Sequence, residues 1–135
     1  MGESRAYVVD ACVLLRFLQG ERGAERVARV LRSAASAGER LGLHIINLGE
    51  VVYTVGKHLG WEVAEKTRTE IGLLPLEVVG WSDSLFWHAV ALKAHHAMSY
   101  GDCFAAALAI ERGATLLTSD PEFKAVASLV AVERL

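Results

Sequence analysis

Cysteine is scarce in this chain: among 135 residues only Cys12 and Cys103 carry a thiol, and they form no CxxC pair. That excludes a disulfide framework and a thiolate-rich zinc site, and it suits a reducing cytoplasm. Proline is scarcer than average, with two residues, while 53% of the chain is hydrophobic and 22% charged; a disordered or proline-rich chain is excluded. No apolar run reaches membrane-spanning length, and the run before Asp10 is too short for a signal-peptide core, so the expectation is a cytoplasmic protein that makes no use of a membrane. An excess of positive charge is missing too. Fourteen Lys and Arg stand against sixteen Asp and Glu, for a formal charge of -2, so any nucleic acid would have to be held locally rather than by a global cationic field.

What is present is an even spread of apolar residues without repeats or linkers, which predicts one domain over residues 1–135 with a single core. Residues 6–9 read as a strand buried on both faces, the mark of a parallel sheet. Helices are expected over 13–18 and 23–35, the second placing Val27, Val30 and Leu31 on one face and arginines on the other. A strand over 43–46 is followed by a helix opened by Asn47 and ending at Gly60, then a helix over 62–71. A strand over 76–79, helices over 82–97 and 102–112 with Gly113 as C-cap, and a strand over 115–117 continue the alternation. A turn of helix at 121–124 and an apolar segment over 129–132 complete it. The expectation is an α/β fold: a three-layer α/β/α sandwich around a mostly parallel five-stranded sheet.

In such sheets ligands bind outside the carboxyl ends of the strands. Asp10 follows the first strand, Glu50 lies about a turn past the second, and Asp120 comes just after the fourth. Asp102 starts the helix feeding that fourth strand, so it reaches the same edge. Each acid alone is explained as a helix cap: Asn47 with Glu50 and Ser99 with Asp102 have capping-box spacing, and Asp120–Pro121 reads as an N-cap with proline at N1. Four carboxylates on one edge repel, however, and a divalent cation relieves the repulsion. Oxygen-only donors point to Mg²⁺ or Mn²⁺ rather than zinc.

The same residues carry a resemblance. Residues 7–15 (YVVDACVLL), 46–53 (INLGEVVY), 99–109 (SYGDCFAAALA) and 113–123 (GATLLTSDPEF) resemble, in order and spacing, the PIN domain family, and in particular its VapC-type toxins. The resemblance implies a metal-dependent endoribonuclease with Asp10, Glu50, Asp102 and Asp120 as catalytic and Mg²⁺- or Mn²⁺-binding residues, Asp120 acting directly, through water, or on a second ion. It implies an RNA substrate, a homodimer, and a cognate antitoxin covering a groove formed in part by residues 13–31. Many relatives carry Ser or Thr where this chain has Cys12, a weaker hydrogen-bonding group and a poor ligand for a hard cation. Asn47 and Thr118 are assigned auxiliary roles, orienting Glu50 and Asp120.

Other residues are expected to do less. The five histidines share no metal-binding spacing. Trp61, Trp81 and Trp87 are of a type that stacks on bases, but Trp81 and Trp87, beside apolar neighbours at a helix start, are expected to pack instead, and Asp83, Glu111 and Glu122 to be solvated or capping. The arginines from Arg16 to Arg32 are read as a solvated helix face ahead of a phosphate strip. Two other functions use the same sheet: a phosphoryl-accepting aspartate protein with Asp10 as nucleophile, and a non-catalytic PIN-fold binding module. The first is disfavoured because Cys12 stands where a second aspartate is usual, the second because the acid set is complete.

Overall fold

The computed structural model describes residues 7–135; Ala6, expected to begin the first strand, lies outside them. The chain runs β1 (Tyr7–Val9), α1 (Ala11–Gln19), α2 (Ala24–Ser36), β2 (Leu41–His44), α3 (Ile45–Leu59), α4 (Trp61–Ile71), β3 (Leu76–Val79), α5 (Asp83–His95), α6 (Tyr100–Arg112), β4 (Thr115–Thr118), a 3₁₀ segment (Pro121–Val126) and β5 (Val132–Arg134). All four strand pairings are parallel, in the order β3-β2-β1-β4-β5. The expected α/β/α architecture with a five-stranded parallel sheet is the observed one.

The unbroken apolar strands explain the layers. Successive side chains point to opposite faces, so Val8 and Leu116 enter a core with α5, α6 and the 3₁₀ segment, while Val9, Leu43 and Leu117 enter a second core with α1 and α2. Ala105, Ala106, Ala107 and Ala109 are fully buried in α6. Their small side chains let this helix lie close to the sheet, and Leu108 and Arg112 crowd the space beside Gly42 of β2. Val27, Val30 and Leu31 are buried as the helical spacing predicts. Gly113 caps α6 at φ 59°, in the left-handed region that glycine enters at least cost.

Several boundaries differ. The second strand was expected over 43–46, but it ends at His44, whose Nδ1 accepts from Ile46 N–H and starts α3 two residues early. Ile45 and Ile46, about half exposed, thus belong to a helix start. The last strand was expected over 129–132 and lies at Val132–Arg134, because residues 129 and 130 close a backbone turn onto Val126. Trp81 and Trp87, expected to pack, are 71% and 63% exposed. Arg26 is no solvated arginine: it makes two hydrogen bonds to Glu133, at 2.6 and 3.0 Å, tying α2 to the edge strand. Among the described residues no helix is long and apolar enough to cross a membrane.

Candidate active site

From β1 the chain moves toward β2 on one side, and from the adjacent β4 toward β5 on the other. This reversal leaves a crevice beyond the carboxyl ends of the two central strands, where backbone and helix starts converge. Asp10 follows β1 immediately, and Asp120 follows β4 by two residues.

Asp10 is 1% exposed and is the N-cap of α1, its Oδ1 accepting from Val13 N–H at 2.8 Å. Its Oδ2 accepts a short hydrogen bond from the Thr118 hydroxyl. The same hydroxyl accepts from Asp120 N–H at 2.9 Å, so Thr118 joins the two acids across the strand pair. Burial nevertheless pushes the Asp10 carboxyl up to about 6; the two hydrogen bonds oppose the rise and the charges of Asp120 and Glu50 add to it.

Glu50 comes from α3. Its Oε1 accepts from Asn47 Nδ2 at 2.9 Å, and the same amide donates to Gly101 O at 3.1 Å. Asn47 therefore does not cap α3 through a capping box, as the spacing suggested. It is a buried residue of the first turn, its amide linking Glu50 to the start of α6. Gly101 makes room for the carboxylate, since a Cβ there would stand 2.5 Å from Glu50 Oε2.

Asp102 sits in the first turn of α6 with its N–H on the Ser99 hydroxyl, so one half of the expected capping box forms; the other does not, because Ser99 N–H donates to Glu122 Oε1 and not to Asp102. Its Oδ2 is buried without a hydrogen-bond donor. Its carboxyl neighbours are Glu122 and Asp120, and one oxygen of each of the three lies within 4.8 Å of the others. Two carboxylates cannot satisfy each other without a proton or cation between them. Burial, reinforced by these carboxyl contacts and by the charges of Asp120 and Asp10, pushes Asp102 up to about 9. Glu122 goes the other way, held below the usual range by its hydrogen bond with Asp102 and by Ser99 N–H.

The charges that bear on Asp10 and Asp102 are thus all negative. A buried oxygen with no donor, amid hard anionic oxygens, fits a divalent cation better than any group the chain itself supplies.

Of the four sequence-derived acids, Asp102 and Asp120 fall within one tight carboxyl cluster, while Asp10 and Glu50 lie outside that cluster, Asp10 acting on Asp102 and Glu50 on Asp10 through charge. The third member of the cluster is Glu122, although the sequence placed it among solvated or capping residues. Nothing in the sequence set Glu122 apart from a solvated acid; in the fold Asp120 caps the 3₁₀ segment by accepting from Glu122 N–H at 2.9 Å, which keeps the two acids together. Ser119 was also missed; its hydroxyl lies 2.7 Å from Cys12 Sγ, so the thiol that replaces a hydroxyl still has a polar partner.

The PIN domain family profile matches residues 7–129, and the chain belongs to the PIN domain family. Among solved structures it is similar to a chain of the VapBC2 complex of Rickettsia felis bound to a promoter DNA fragment (TM-score 0.72, 19% identity, 96% of this chain and 98% of that one). It is similar to a chain of VapBC-1 from nontypeable Haemophilus influenzae (TM-score 0.71, 18% identity, 96% and 97%). It is also similar to VapC20 of Mycobacterium tuberculosis, described as a toxin that cleaves the sarcin-ricin loop (TM-score 0.71, 18% identity, 93% and 97%). At such identities the likeness concerns the fold. No curated protein sequence matches the chain.

Proposed function

We propose that this protein is a metal-dependent endoribonuclease of the VapC type, the toxin of a toxin-antitoxin pair acting in the cytoplasm. The observation that carries the reading is the donor-free Oδ2 of Asp102, buried among the carboxyl groups of Asp120 and Glu122. Asp10, Glu50, Asp102 and Asp120 are assigned to Mg²⁺ or Mn²⁺, with Glu122 beside them. A divalent cation held by these carboxylates would supply a bound water of lowered pKa and would offset charge on a phosphoryl oxygen. The chain's own residues hold the carboxylates in place: Thr118 fixes Asp10 against Asp120, and Asn47 fixes Glu50 against α6. No lysine or histidine base is required.

VapBC complexes among the similar structures, and the sarcin-ricin activity of the M. tuberculosis toxin, support an RNA substrate and an antitoxin partner. The homodimer belongs to the same reading. The test is cleavage of defined structured RNAs by the purified chain with Mg²⁺, Mn²⁺ or EDTA, alongside Asp10→Asn. Cleavage that requires the cation and is lost in Asp10→Asn is expected; cleavage that persists in EDTA and survives the substitution sinks the mechanism.

A further inference from the structure

Beside the carboxylates, a cavity of about 340 Å³ opens between the start of α3, the start of α6 and α5, within the range of small-ligand sites. Its walls include Trp81, Phe86, Tyr100, Phe104, His44 and, at the end facing the acids, Glu50. The rings form a connected set. Trp81 and Phe86 have centroids 4.8 Å apart, Phe86 and Phe104 6.2 Å, Tyr100 and Phe104 5.2 Å. Trp81 and Tyr100 are 71% and 46% exposed, so large aromatic surfaces stand open to water where the core does not use them.

The cavity also has a polar edge. His44 is 3% exposed, with its ring 4.8 Å from that of Phe104, and its Nδ1 accepts from Ile46 N–H. The neutral ring therefore carries its proton on Nε2, which has no partner among the described residues. A donor at His44 and the second carboxylate oxygen of Glu50 thus border aromatic faces, while the Ser82 hydroxyl in the same wall is taken up by Leu85 N–H and Ser84. An aliphatic side chain entering the cavity would use the rings and leave His44 Nε2 without a partner, at a cost. A heteroaromatic base matches both, with π faces for the rings and an edge bearing donors and acceptors.

We propose that this cavity is a nucleobase subsite, which takes one unpaired base of an RNA strand whose phosphate lies at the carboxylates. The inference rests on the ribonuclease reading, because Glu50 is a wall of both places and so joins base to phosphate.

The test is fluorescence anisotropy of labelled oligo-A, oligo-C and oligo-U with the full chain in Ca²⁺, beside an abasic oligomer carrying the same phosphates. Trp81→Ala should weaken the best-bound RNA about tenfold and leave the abasic oligomer unaffected. Trp87→Ala should change neither, since Trp87 touches Phe86 from outside the cavity. Equal affinity of wild type and Trp81→Ala for every base-bearing RNA overturns the proposal, as does failure of the wild type to bind any of them. So does a Trp81→Ala change confined to self-association in light scattering, which would make the cavity an interface between copies. Trp81-dependent binding without Mg²⁺-supported cleavage would sink the ribonuclease reading alone.

Discussion

The hydrogen on the Cα of Gly101 points at the carboxylate of Glu50, and a methyl group in its place would stand 2.5 Å from Oε2 and 2.6 Å from Oε1. Gly101 lies in the first turn of α6, where alanine is the better helix former by roughly 1 kcal/mol. Gly101→Ala is therefore expected to keep or slightly raise stability while displacing Glu50, lowering Mn²⁺ affinity by about tenfold. Calorimetric titration with Mn²⁺, paired with a thermal melt, checks it. A stable variant with wild-type affinity would remove Glu50 from the metal site.

Without a cation, Asp10 keeps its proton up to about pH 6 and Asp102 up to about 9, against a usual value of 3.8. The folded chain then binds more protons than the unfolded one, so these groups favour the fold at low pH and lose that contribution as pH rises through the two values. In EDTA the melting temperature should fall between pH 5 and pH 8, and Mg²⁺ should restore more at pH 8 than at pH 5. Asp10→Asn should flatten the lower part of this profile. Melts in EDTA that do not change across the interval would contradict it.

Thr118→Val removes the donor to Asp10 and the acceptor of Asp120 N–H at a fully buried position. The expected loss is about 1–3 kcal/mol in urea unfolding, with the Asp10 carboxyl rising further because its strongest hydrogen bond is gone. Thr118→Ser keeps the hydroxyl and should restore most of both. If Val and Ser variants behave alike, the hydroxyl is not what joins the two acids.

Phe123 is fully buried one residue after Glu122 and anchors the 3₁₀ segment that Asp120 caps. Truncation to alanine should cost about 3–5 kcal/mol. Because Glu122 lies in that segment and Asp120 caps it, metal affinity measured on the remaining folded protein should fall as well. A drop in stability with unchanged affinity would show that Asp120 and Glu122 are held by their own hydrogen bonds.

The site was legible where local chemistry and chain order sufficed. Asp10 after an apolar strand, Asp120 before Pro121 and Asp102 three residues after Ser99 are positions that caps and parallel topology fix together. Asn47 shows the limit. Its spacing to Glu50 suits a cap, yet His44 captures the helix start, since an imidazole nitrogen placed two residues before Ile46 accepts its N–H first. Within Leu41 to Ile46 the one mark of where strand becomes helix is His44, a residue type outside the usual N-cap set.

The sequence by itself determined the alternation of buried strands and amphipathic helices, and with it the edge to which four acids are delivered. Only the tertiary structure decided that Glu122 joins them, because its neighbours Ser99 and Asp102 come from a distant helix start. It also decided that Trp81 and Trp87 stand open. Hydropathy states what a side chain gains by burial; whether a covering surface exists is settled by where the other elements pack, and above α5 none of the described residues closes over those rings.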